Sequence, residues 1–159
     1  MQIKPQALRL LLLTLLSGAL SHLQCAHPNF SGEWKLNPTQ SNFAPLPQPE
    51  KLERKIIHQG IHLKIKTTQF GQDREIVTDL SYTTDGATCK NVIRGDEFTG
   101  TARWQGDTLV IDSKREVQGM NLEQKESWNL SSDGQILTIG NHVTTPQGAF
   151  DITIVLDKQ

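Results

Sequence analysis

The chain has 159 residues, with 16 Lys and Arg against 17 Asp and Glu, so its formal charge is -1. Its charges alternate in sign along the chain, which argues against nucleic acid as a partner, because phosphate-backbone binding draws on clustered Lys and Arg. Two cysteines make no disulfide framework, and the length suits one core rather than two.

The chain opens with Lys4 and Arg9 and has no acidic residue before Glu33. Leu10 to Leu16 is interrupted only by Thr14, and Ser17 to Leu20 is mostly small or apolar. A basic start, a short apolar core and small residues follow the order of a secretory signal peptide. The run is shorter than the roughly 18 to 20 apolar residues of a membrane span. The expectation is a signal peptide over residues 1–26, cut after Ser21 or after Ala26, and a secreted or periplasmic protein. The first cut keeps Cys25, which could pair with Cys89. The second leaves Cys89 alone, and its neighbours by alternation, Asn91 and Ile93, then suit a small buried side chain. Residues 27–159 form the expected single domain, of 133 residues, with net charge -3 once Lys4 and Arg9 are removed.

The domain starts at "NFSGEWKLNP", where Gly32 precedes Trp34 by two positions. Residues 37–50 carry Pro38, Pro45, Pro47 and Pro49 and predict an extended connector. Strand-like alternation follows. Strands are expected near 52–58 and in the row Ile61, Leu63 and Ile65, then in Ile76, Thr78, Leu80 and Tyr82. Asp85-Gly86 is a strong hairpin signal. Further strands are expected near 87–94, along Phe98, Gly100, Ala102 and Trp104, and from Leu109 to Val117. Leu122, Gln124, Glu126, Trp128 and Leu130 form another row, followed by strands near 136–144 and from Phe150 to Leu156.

About ten strand candidates, with no persuasive helical face, predict an all-β fold. Short turns favour antiparallel neighbours, and a long meander resolves its edges by closing. The expected fold is an antiparallel up-and-down β-barrel of about 8–10 strands, with a β-sandwich or an open curled sheet as alternatives. Such a barrel encloses either packed side chains or a ligand cavity. The row from Leu122 to Leu130 has apolar ends and a polar middle. Facing inward, Gln124 and Glu126 need partners, and Arg115 on the preceding strand is the candidate. Trp104 and Trp128, each just before a Gly-Asp or Asp-Gly turn, join Arg115, Gln124 and Glu126 as candidate ligand-binding residues. Facing outward, the same residues would leave a filled core.

Gly32-Glu33-Trp34 resembles the Gly-x-Trp signature of the calycin superfamily, the lipocalin and fatty-acid-binding-protein group. Phe30-Ser31-Gly32, Thr84-Asp85-Gly86, Trp104-Gln105-Gly106-Asp107 and Trp128-Asn129-Leu130-Ser131 also resemble a family of exported bacterial proteins of unsettled activity, described as lipocalin-like. The resemblance implies structural roles for Gly32 and Trp34, with Trp34 packed across a closed barrel end. The usual companion of that tryptophan is a late arginine, and this chain offers Lys158. The final strand, "FDITIVLD", lacks the Arg-x-Tyr arrangement with which fatty-acid-binding proteins hold a carboxylate.

No catalytic constellation is expected. Glu123 and Glu126 fall on opposite faces of a strand, and no Ser-His-Asp set or phosphate-binding glycine loop stands out. His58 and His62 have a spacing that brings ligands together on a helix, but here they flank a strand turn at Gly60, so no metal or cofactor is expected. The functional expectation is noncatalytic binding of a small apolar or amphipathic molecule inside a barrel. The alternative is a structural or protein-interaction module of the cell envelope, with an envelope protein as partner.

Overall fold

A computed structural model describes residues 26–117 and 119–159. The expected signal peptide and Cys25 lie outside the described residues, Ala26 apart. Ten strands follow in chain order: β1 (Gly32–Leu36), β2 (Lys51–Gln59), β3 (His62–Gly71), β4 (Arg74–Thr83), β5 (Asp85–Ile93), β6 (Asp96–Gln105), β7 (Thr108–Val117), β8 (Met120–Leu130), β9 (Ile136–Thr145) and β10 (Gly148–Lys158). They form one antiparallel sheet in the order β4-β3-β2-β1-β10-β9-β8-β7-β6-β5. This is a nearly closed up-and-down barrel of the lipocalin-like kind. Every ladder except β1–β10 joins strands consecutive in the chain.

The expected alternation sets the faces. Leu52 and Ile56, Leu63 and Ile65, Leu109 and Ile111, Leu137 and Ile139, and Ile152, Ile154 and Leu156 point into a common core. Two-residue turns join several pairs. Arg94 and Gly95 both take positive φ, 56° and 91°, the geometry that matches the twist of the strands they connect. Ile61, expected at the start of a strand face, instead sits exposed in the turn after Gly60, whose φ of 58° starts the reversal.

One barrel end gathers the turns after β2, β4, β6 and β8 together with residues 26–31. Phe30 from that segment is fully buried, stacks on Trp104 at 5.8 Å and meets Trp128 edge-on at 5.5 Å. The segment is tied to β2 through His58, whose N–H donates to Ser31 Oγ at 2.9 Å and whose carbonyl accepts from Ser31 Oγ at 3.1 Å. The other end holds the turns after β3, β5, β7 and β9 and the connector 37–50. Along the connector, Asn42 exchanges both main-chain hydrogen bonds with Thr153, Phe43 is buried in the core, and Glu50 N donates to Phe70 O at 3.0 Å.

Trp34 is 1% exposed, and its indole N–H donates to Phe30 O at 3.0 Å. Lys158 Nζ lies 5.4 Å from the ring centroid, so a lysine provides the cation that covers the tryptophan. Gly32 makes room for it. Its φ is +151°, and a Cβ there would come within 2.9 Å of Lys158 Cε.

The strong hairpin signal at Asp85-Gly86 falls where the ladder is interrupted. β4 and β5 follow one another through Thr84 yet have no shared ladder. Gly86, with φ of 85°, lies in an irregular start of β5 where the β5–β6 register shifts between Asp85 and Thr88. Side chains bridge the seam instead. The Asn91 carboxamide accepts from Ser81 N–H at 2.7 Å and donates to Ser81 O at 3.1 Å. Thr83 N–H donates to Cys89 Sγ at 3.3 Å.

Candidate functional site

Inward rows of seven strands, β2 to β8, leave a cavity of about 160 Å³ inside the barrel. Its deeper part is bounded by Trp128, Tyr82 and Ile111, and its outer part by Gln69, Ile93, Phe98 and Arg115. Those outer residues stand next to the turns at the connector end, so the cavity occupies that half of the barrel. Ile65, Leu80 and Ile111 supply apolar wall, while Thr67, Thr78, Ser113 and Gln124 supply short polar groups.

The charged residues are the informative ones. Glu126 on β8 accepts the indole N–H of Trp128 at 2.7 Å through Oε2. The same oxygen faces Arg54 Nη1 of β2 at 3.9 Å, too far for a hydrogen bond but close enough for an ion pair. The Arg54 guanidinium carbon lies 5.5 Å from the Trp128 ring centroid, and the side chain is only 11% exposed. Arg54 Nε and Nη1 and Arg115 Nε are buried with no hydrogen-bond partner among the described residues. Burial pushes the pKa of Arg115 down, and Arg94 nearby adds to this. Burial pushes the Tyr82 hydroxyl well above the ordinary tyrosine range, and the Glu126 carboxylate adds to it. The Tyr82 ring rests against Gly100, where a Cβ would come within 2.9 Å of both the ring and the Asp112 carbonyl oxygen.

The structure brings Arg115, Gln124, Glu126 and Trp128 to this one cavity. Trp104 lies elsewhere, at the plugged end, stacked on His27 at 4.2 Å and on Phe30. Arg115 is not the partner of Glu126. The β7–β8 register sets Arg115 opposite Leu122 and Ile111 opposite Glu126, and the facing cation is Arg54. Sequence reasoning missed Arg54 because Glu53-Arg54-Lys55 resembles a solvated charge run. The usable signal was its place between Leu52 and Ile56 on an alternating row.

His58, on the same row, is 7% exposed, and neither ring nitrogen has a partner among the described residues. Its ring lies 5.9 Å from Phe30 and 6.0 Å from Trp104. Burial lowers its pKa, opposed by the Gly60 main chain and assisted by His27. Among the described residues no three His, Cys, Asp or Glu side chains converge on a metal-sized site. What the cavity offers is apolar burial with a few fixed polar and cationic groups.

No protein-family model matches the chain, and no curated protein matches its sequence significantly. Solved structures match its fold. A secretory abundant heat soluble protein from Ramazzottius varieornatus aligns with TM-score 0.60 at 15% identity, covering 81% of this chain and 94% of that one. Zebrafish ileal bile acid-binding protein in complex with cholic acid aligns with TM-score 0.54 at 16% identity, covering 82% and 98%. A single-site mutant of the fluorescent protein UnaG aligns with TM-score 0.56 at 12% identity, covering 82% and 96%. At these identities the likeness is one of architecture, and the architecture is the calycin-like antiparallel β-barrel.

Proposed function

We propose that the protein binds a small amphipathic anion inside its barrel and carries out no chemistry on it. The observation behind this reading is a pair of arginines beside one cavity, Arg54 nearly buried and Arg115 half-buried, whose buried N–H groups, Nε and Nη1 of Arg54 and Nε of Arg115, have no partner among the described residues. A buried ion without hydrogen bonds costs several kcal/mol. A carboxylate or similar head would supply acceptors, and the walls of Ile65, Leu80, Ile93 and Phe98 would take the apolar body. The zebrafish relative in fold, in complex with cholic acid, supports the capacity of such a barrel to hold an amphipathic acid. The cavity argues against the filled-core, interaction-module alternative. The order of residues 1–20 supports action as a secreted or periplasmic protein.

Calorimetric titration with sodium carboxylates of graded size, each beside its matched alcohol, tests the reading. At least one acid should bind saturably, with its alcohol weaker by about tenfold or more, the scale of a charge-assisted hydrogen bond. Arg115→Gln should weaken the acid by a similar factor. Equal binding of acid and alcohol, or no binding of any acid, would overturn it.

A further inference from the structure

We infer that Arg54, Glu126 and Trp128 form an internal partition that limits ligand length, restricting the site to compact anions of about ten heavy atoms or fewer. This rests on the binding function proposed above. The strands flanking the cavity run about ten residues each, yet the open space occupies only the connector half of the barrel. Its volume of about 160 Å³ is close to the roughly 150 Å³ of an engineered cavity that holds benzene. Beyond Trp128 the interior is filled by Phe30, Leu109, Leu137 and Ile139, each fully buried.

The three partition residues hold one another from opposite walls. Glu126 accepts from the Trp128 indole at 2.7 Å, Arg54 faces the same carboxylate oxygen at 3.9 Å, and the Arg54 guanidinium lies 5.5 Å from the Trp128 ring centroid. Asn141, paired in register with Glu126, is buried beside the carboxylate strand. Arg54 cannot step aside into the packed half, because that would place a permanent cation among apolar side chains. A long chain could pass beyond Trp128 only by breaking the carboxylate–guanidinium pair and the ring contact together. A compact acid leaves all three in place.

The test compares benzoate with palmitate by calorimetry on the wild-type protein and on Arg54→Leu. Wild type should prefer benzoate by about tenfold or more. Arg54→Leu should shift the ratio of the two affinities toward palmitate by at least a similar factor. Wild-type binding of palmitate as tight as that of benzoate overturns the partition while leaving the binding function intact. Failure of both acids overturns the partition too, and if every other acid in the graded series also fails, the binding function falls with it. The wild-type ratio decides the matter even if Arg54→Leu does not fold, and Glu126→Gln, which keeps the bulk, should move the ratio in the same direction by less.

Discussion

Asn91 holds both main-chain groups of Ser81, accepting from its N–H at 2.7 Å and donating to its carbonyl at 3.1 Å. In doing so a side chain stands in for a ladder pair at the seam between β4 and β5. Asn91→Leu keeps the volume and removes both bonds. Water can reach the half-open seam, so the expected cost is about 1–2 kcal/mol rather than the full penalty of two buried orphans. Urea unfolding would read that loss. Amide exchange should rise at Ser81 and Thr83 and stay unchanged along β7 and β8.

Gly32 and Lys158 are coupled through the face of Trp34. Gly32→Ala introduces a Cβ at φ +151° and within 2.9 Å of Lys158 Cε, with an expected loss of about 1–2 kcal/mol. Lys158→Ala should cost about 0.5–1 kcal/mol through the lost cation–ring contact. The two should not add. With the lysine stem gone, Gly32→Ala should cost less, leaving only its backbone strain, and a double-mutant cycle measured by denaturant unfolding would show it.

His58 predicts a loss of stability in acid. Its folded pKa lies below the ordinary 6.5 because burial disfavours the imidazolium. As pH falls through and below 6.5, the unfolded chain takes up this proton before the folded one, so the folded state loses ground. The neighbouring titratable group, His27, stacks on the other aromatic of the plug, Trp104. Urea midpoints taken at about pH 7.5 and about pH 5.5 should drop more for wild type than for His58→Phe. Equal drops would remove His58 as the cause.

Tyr82 is the only tyrosine in the chain, so phenolate absorbance isolates it. Its folded pKa is raised, chiefly by burial and then by Glu126. The native protein should therefore show little phenolate signal at about one unit above the ordinary value near 10. Urea-unfolded protein at the same pH should show the full signal. The corresponding stability is complete below about pH 10 and declines as pH rises above it.

The alternation of the rows carried most of the fold, since a period of two survives any bend in a strand and places Gln124, Glu126 and Trp128 on one face without knowledge of closure. Other features needed partners distant in the chain. Arg54 meets Glu126 only once β2 and β8 face each other across the barrel, and no local pattern around Glu53-Arg54-Lys55 states that. Trp104 and Trp128 share a local context but differ in depth, because Trp128 lies two residues from Glu126 on a cavity row while Trp104 abuts His27 and Phe30. Asp85-Gly86 shows the opposite failure. A residue pair suited to a tight turn was present, but β5 uses its freedom to start irregularly beside a seam. Lys158 met the need for a cation over Trp34 because ring attraction depends on charge and position rather than on a guanidinium in particular.

The pairing of β1 with β10 has a consequence for how the chain reaches this shape. All other ladders form between neighbours in sequence, whereas this one pairs Trp34 with Lys158, and just beyond its end the side chains of Asn37 and Asp157 meet at 2.9 Å across 120 residues. The length-dependent entropy of closing so large a loop is about 4 kcal/mol, and it falls on a β1 of only five residues. Trp34, with Lys158 above its ring and Phe30 O on its indole N–H, therefore acts as the clasp that joins two meanders, β1 to β4 and β5 to β10, into one barrel-shaped sheet.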